Sequence, residues 1–272
     1  MVLEMFKTLP RKSATQCARD TGISGTSVRR IFKAVKWKVC IPRLLHAIND
    51  VDPGRRMQFC EWFQRMANKD EESVTKIVWS DEAQFKTVNR HNCFYWAPEN
   101  LHVHVYKAVN LPGVNVWCGL SVRGLIGPFF FEGTVTGEAY LQILRSSILP
   151  ATRAIYENSD VFYQQDGTTA HYHRDMRAFL NENLQRHWIG RKGTFEFPPR
   201  SPVLTPLDFY LWGTLKDVVY RKKPTTLGDL RAEIRAACAA IPMNTWTEVA
   251  QSTARRCNRC LAANGNHFEH HH

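Results

Sequence analysis

The chain has 272 residues, 44% of them hydrophobic and 22% charged, an ordinary globular composition that excludes intrinsic disorder and leaves room for more than one domain. No apolar run reaches the roughly 18–20 residues of a membrane span, so no membrane partner is expected. The net charge of +11 is concentrated: residues 1–45 hold ten Lys/Arg against Glu4 and Asp20, which points to a polyanion partner for that segment.

The first residues, Met1 to Lys7, lack the basic-then-apolar pattern of a secretory signal. The eight cysteines are scattered apart from Cys257 and Cys260 and read as reduced thiols, mostly in the core. Ser13 is placed to cap a helix in which Ala14, Cys17 and Ala18 share a face. Gly22-Ile23-Ser24 then supplies a turn and a second cap. Val28, Ile31, Phe32 and Val35 form the buried face of the next helix. Ser27, Arg29, Arg30 and Lys33 fall elsewhere on its surface. Two short helices around a glycine, the second basic, follow the helix-turn-helix plan that lays a recognition helix in the major groove. A charged helical hairpin has the same pattern. Arg11 and Lys12, just upstream, are placed to enter a minor groove. These residues define an expected DNA-binding domain over 1–45.

Asp52-Pro53 is a helix start, and the helix it opens is expected to link two domains over residues 46–73. From residue 74 onward strands and helices mix. Strands are expected at 76–81, 92–96, 114–122, 127–131, 160–165 and 194–197. Helices are expected at 138–156, 173–183, 207–220, 227–240 and 245–263, with Pro150 bending the first of them. This order predicts an α/β domain over 74–272, a central sheet flanked by helices.

Three aspartates stand out by position. Asp81 and Asp166 end apolar strands, where ligands gather in open sheets. Asp208 follows a proline-rich turn at a helix start. Each alone also reads as a turn or capping residue. Together they would supply the oxygen ligands of a two-metal phosphoryl-transfer site.

The surrounding words add to this. Trp79-Ser80-Asp81-Glu82, Val88-Asn89-Arg90-His91-Asn92, Gln164-Gln165-Asp166-Gly167 with His171, and Ser201-Pro202 through Leu207-Asp208 resemble the mariner superfamily of DNA transposases. Residues 110–117 and 264–270 fit the same group, so the resemblance runs from about residue 10 to the C-terminus. It implies a ribonuclease-H-like catalytic domain behind a helix-turn-helix region. It implies a triad of Asp81, Asp166 and Asp208 that holds two Mg²⁺ ions, with Mn²⁺ able to substitute. The last two are separated by 41 residues, like the subgroup with a long spacing and a final aspartate. The implied reaction is cut-and-paste transposition in the nucleus. A phosphodiester at the element's terminal repeat is hydrolysed, and the freed 3′-hydroxyl attacks double-stranded target DNA. Pairing two ends suggests a homodimer.

The chain also departs from the family pattern. Only about one helix-turn-helix unit fits before Trp37. Val203 stands where Ser-Pro-Asp-Leu is expected, and Thr168-Thr169-Ala170-His171 replaces Ala-Pro-Pro-His, losing two prolines that stiffen the backbone beside Asp166. The turn after Phe85 lacks its usual glycine, which could shift the strand carrying Asp81. Two functions therefore fit: a transposase, or a decayed or co-opted DNA-binding copy with little catalysis. Cys257, Cys260, His267 and His270 are zinc-like in residue type. The helical spacing of the two cysteines favours core packing instead.

Overall fold

The serine and glycine signals of the N-terminal segment are realised as short helices. In a computed structural model, which describes residues 1–8, 13–37, 47–87, 111–157 and 161–269, the chain falls into two units, Met1–Leu45 and His46–His272. The first contains α1 (Val2–Thr8), α2 (Ala14–Thr21) and α3 (Gly25–Ala34). The Ser13 hydroxyl accepts from Gln16 N at 3.0 Å and the Ser24 hydroxyl from Ser27 N at 3.1 Å, each satisfying a donor left free at a helix start. Gly22 ends α2 at φ 69°, a left-handed conformation that glycine adopts without steric cost. Val2, Phe6, Cys17 and Val28 are buried together, and Phe6 meets Phe32 edge-on at 4.8 Å. Helix α1 has little advance signal in the sequence. It starts directly after Met1 with no capping side chain, and only Val2 and Phe6 mark its buried face. Arg11 and Lys12 lie outside the described residues.

The second unit opens with α4 (Asp52–Lys69) and the short α5 (Glu71–Thr75). Its sheet consists of β1 (Ile77–Lys86), β2 (Gly113–Ser121), β3 (Gly124–Phe131), β4 (Phe162–Gln164) and β5 (Trp188–Ile189), in the order β3-β2-β1-β4-β5. The β1–β2 and β2–β3 pairs are antiparallel, while β1–β4 and β4–β5 are parallel. This is the ribonuclease-H-like mixed sheet that the resemblance implies. Helices α6 (Gly137–Ile143), α7 (Leu149–Tyr156), α8 (Arg174–Leu184), α9 (Trp212–Arg221), α10 (Leu227–Ala239) and α11 (Asn244–Ala262) complete the unit.

Alternation along β1 divides the core. Trp79, Ala83 and Phe85 are buried with Phe59 and Phe63 of α4, Leu215 of α9, Ile234 of α10 and Cys257 of α11. Val78 is buried on the other face with Trp117, Tyr140 of α6, Leu149 of α7 and Leu180 of α8. The helix expected to bridge domains belongs to the second unit, because Phe59, Cys60 and Phe63 are buried there.

Several expected boundaries move. Asp81 is not at the end of its strand. β1 continues to Lys86 because Ala83 and Phe85 sustain the burial alternation, and its register with β2 is unbroken from Trp79↔Leu120 to Lys86↔Gly113. The glycine-poor turn therefore leaves the Asp81 strand in register. The expected strand 92–96 lies outside the described residues. The expected strand 194–197 is reduced to one bridge, Ile189↔Phe195, since Pro198 and Pro199 cannot donate to a ladder. The expected helix 138–156 is one helical path in which a wide π turn, Leu144–Ile148, joins α6 to α7. That extra width falls where the Pro150 ring would otherwise press on the preceding turn.

Asp52 is fully buried and accepts from Asn49 N at 2.7 Å. Arg200 donates to both its oxygens, at 2.6 and 2.7 Å, and this pair holds the carboxyl below its usual range. The fork ties the start of α4 to the Pro198–Pro202 segment. Arg200 keeps 39% of its side chain exposed, so it can recover hydration if its partner is removed. Asp52→Ala is therefore expected to cost about 1–3 kcal/mol in denaturant unfolding, less than a fully buried pair would. An unchanged midpoint would show that the fork adds nothing.

Candidate active site

At the end of the parallel pairing the sheet opens onto a cavity of about 580 Å³. Parallel pairing of β1 with β4 stops at Trp79↔Gln164, and Asp81 and Asp166 each stand two residues beyond that pair. Asp208 arrives from the other end of the sequence, in a wide turn (Leu207–Leu211) leading into α9. All three line this cavity, together with Glu82, Arg191 and Arg200.

Their environments differ. The Trp212 indole donates to Asp81 Oδ2 at 2.7 Å. Burial and the charges of Asp208 and Glu82 nevertheless push the Asp81 carboxyl well above its usual range, against the pull of that indole. Asp208 is pushed up to about 6 by the protein packed around it and by the charge of Asp166, with Lys216 acting the other way. Burial would also raise Asp166, but His171 overcomes it and the carboxyl lies below its usual value. Asp81 responds to Asp208 and Asp166, and Asp208 to Asp166, so the three sequence-nominated residues are electrostatically linked.

The loop after Asp166 shows how this chain manages without the two prolines. Asp166 Oδ1 accepts from Thr168 N at 3.1 Å and pairs with His171 Nδ1 at 2.6 Å. An Asx-type turn followed by a short 3₁₀ turn, Thr169–Tyr172, fixes the carboxylate instead. His171 is buried, and its Nε2 stands 3.2 Å from Glu82 Oε2, an ion-pair distance without hydrogen-bond alignment. Burial alone would lower the His171 pKa. The charge of Glu82 and the bond to Asp166 raise it to about 10. The ring also lies 4.1 Å from that of Tyr140.

Glu82 is the residue that sequence reasoning left aside. As alternation requires, it points to the opposite face from Asp81. That face, however, carries His171, and Glu82 reaches the same cavity. Val203, where an aspartate was expected, is partly buried against the core and contributes its carbonyl to Arg256 Nη1 at 3.3 Å.

Of the residues expected to contact DNA in the first unit, three are exposed. Arg29, Arg30 and Lys33 are exposed on α3. Ser27 differs: its amide is taken by the Ser24 cap, and its hydroxyl lies 3.0 Å from that of Ser24. Among the described residues the candidate zinc ligands form no group that could hold an ion. Cys257 and Cys260 are buried with Cys60 in the core. Bonds to neighbouring thiols together with burial push Cys60 and Cys260 up, which keeps them neutral. His267 pairs with Glu269 at 3.5 Å, and His270 lies outside the described residues.

Among the described residues no three His, Cys, Asp or Glu side chains are grouped closely enough to hold an ion by themselves. The donor set still suits one class of ion. Mg²⁺ is usually bound through one or two carboxylates, with waters and substrate phosphates completing the octahedron. The carboxylates of Asp81, Asp166 and Asp208 on the pocket wall supply oxygen ligands of that kind.

No family model matches the chain, and no curated protein matches it in sequence. Solved structures do. The Mos1 transposase paired-end complex with left transposon end has a TM-score of 0.79 at 17% identity, covering 98% of this chain and 79% of that one. The mariner Mos1 paired end complex with Mg has a TM-score of 0.77 at 18% identity, over 98% and 79%. The Mos1 transposase catalytic domain with Raltegravir and Mg has a TM-score of 0.65 at 19% identity, over 82% of this chain and all of that one. At such identities the likeness is one of fold.

Proposed function

We propose that this chain is a DNA transposase of the mariner type, acting in the nucleus on double-stranded element ends and target DNA. One observation carries the reading: Asp81, Asp166 and Asp208, from three distant segments, line one pocket, and Asp166 and Asp208 raise the carboxyls that face them. The shared fold with Mos1 complexes, which contain transposon ends or Mg, supports it. So do the exposed cations of α3.

In this reading Asp81, Asp166 and Asp208 hold two Mg²⁺ or Mn²⁺ ions. Such ions supply an activated oxygen nucleophile and neutralise charge developing on the phosphate. The protein's own work is positioning. Trp212 fixes Asp81, and the Thr168 amide and His171 hold Oδ1 of Asp166. Arg55, Arg191 and Arg200 line the walls and suit phosphodiester oxygens. A homodimer would pair two DNA ends.

A second reading is a DNA-binding protein of transposase origin with little catalysis. The carboxylates' lack of a ready-made ion grouping favours it. One experiment separates the two: strand nicking of duplex DNA in Mn²⁺ by the parent and by Asp166→Ala. Nicking by the parent, reduced in the variant by at least about a hundredfold, is expected, since misplacing a reacting group by about 1 Å already costs that much. Duplex binding with no nicking by either protein would select the second reading. Equal nicking by both would remove Asp166 from the site.

A further inference from the structure

Beside the carboxylate pocket stands a group of cations that the fold does not neutralise. Around the Tyr172 ring lie the Arg191 guanidinium at 4.3 Å from the centroid, Arg177 at 5.1 Å and the Lys192 ammonium at 5.2 Å. Three like charges on one ring repel, since all fall within about one Debye length, ~10 Å at 0.1 M salt. Contact with the ring offsets only part of that repulsion. Among the described residues none of the three has an ion-pair partner. Asp175, the acid nearest to Arg177 in sequence, faces His173 and Arg174, and Glu196, nearest to Arg191 and Lys192, lines the pocket without pairing with either among the described residues. Arg177 Nε is buried without a hydrogen-bond partner.

The cluster is joined to the pocket by a glycine. A Cβ on Gly167 would lie 3.3 Å from Arg191 Cβ and 3.4 Å from its Cδ. The Arg191 stem therefore lies across the residue next to Asp166, and both line the pocket. A larger residue at 167 would have to push Arg191 aside. Among the described residues no anion settles this cluster.

We propose that Arg177, Arg191 and Lys192, gathered on Tyr172, form a phosphodiester cradle that takes the DNA strand where it leaves the carboxylate pocket. The proposal rests on the transposase reading and adds a second DNA-binding surface, in the catalytic unit. Guanidinium N–H groups match phosphate oxygens in a fork. The aromatic ring is already the shelf for the cations, so it carries charge rather than stacking a base. Recognition of the DNA backbone in this way is blind to sequence and sets position and affinity.

The test is the salt dependence of binding of the full-length chain to a short random-sequence duplex. Each phosphate that a cation neutralises contributes about 0.9 to the steepness of log K against log salt. Arg191→Gln with Lys192→Gln is expected to lower that slope by about two and to weaken binding alike for all sequences. The charge-keeping pair Arg191→Lys with Lys192→Arg is expected to retain the parent slope. Thermal midpoints of both pairs check folding, and Arg29→Gln with Arg30→Gln serves as a separate probe of α3. An unchanged slope in the Gln pair, with the parent binding duplex, overturns the cradle and leaves the transposase reading standing. A slope lowered in the charge-keeping pair as well would mean that shape rather than charge was removed, and also overturns it. A parent that binds no duplex overturns both.

Discussion

Adding Mn²⁺ to the metal-free protein at about a hundredfold excess over its dissociation constant is expected to raise the thermal midpoint by about 5–10 °C, and Asp166→Ala to abolish the rise. Mass action at that excess stabilises the folded state by about 2.7 kcal/mol, and a domain of this size gains about 2–4 °C per kcal/mol. The effect has a source in the pocket. Asp81 and Asp208 are both raised, Asp81 by burial and the charges of Asp208 and Glu82, Asp208 by its surroundings and by Asp166. Cations relieve what these groups impose on one another.

The pH dependence follows with a definite sign. A carboxyl whose folded pKa is raised contributes stability below its unfolded value, 3.8, and that contribution is lost as pH rises through the folded value, about 6 for Asp208. Asp81 acts in the same direction. Asp166 is lowered, so its contribution is present above 3.8 and is lost only as pH falls through its folded value. Between these limits the metal-free protein loses stability at Asp81 and Asp208 as pH rises, and the same deprotonations make the metal ligands available. The Mn²⁺-induced shift should therefore be larger at neutral pH than near pH 5. A shift of equal size at both would place the ion away from these carboxylates.

Much of this site is legible in the sequence because it depends on short-range geometry. Asp81 and Asp166 end apolar runs, and parallel strands with matched hydrophobic faces bring such ends together. Asp208 follows a proline-rich turn, and a wide helical turn at that point aims it at the same place. What was not legible depends on tertiary neighbours. Alternation correctly puts Glu82 on the far face from Asp81. Only the packing of the 3₁₀ turn after Asp166 shows that His171 waits there. The two prolines missing from that loop read as lost rigidity. The Asx turn at Thr168 and the His171 bond supply it by another route, which composition cannot reveal. Arg191 reads as a surface arginine until Gly167 is seen to give its stem room. In the fold, β5 was missed because two residues carry no alternation, and α1 because it has no capping side chain.

The second large effect is expected at His171. As an imidazolium it stands between Asp166 and Glu82, both partly or fully screened from water by the protein around them. His171→Ala would leave two carboxylates facing each other with a buried gap between them. Removing one member of a buried charge network typically costs about 3–5 kcal/mol, and because 36% of the Asp166 side chain is exposed the loss is expected at or below the lower end of that range. His171→Gln keeps a hydrogen bond to Asp166 but no charge, and is expected to recover only part of that loss. The pH profile separates charge from packing. A histidine whose folded pKa is raised contributes stability that is full below its unfolded value, 6.5, and lost as pH rises through the folded value, about 10. The parent should therefore lose stability from pH 7 upward more steeply than His171→Gln, which keeps only the losses at Asp81 and Asp208. Cys60 and Cys260, ordinarily near 9.0, are also raised and act in the same direction at higher pH. The difference between parent and variant below that value thus isolates the imidazole. Denaturant midpoints of both proteins between pH 7 and 9 measure it. A parent profile as flat as that of His171→Gln would mean a neutral His171 that holds Asp166 by a hydrogen bond without a charge.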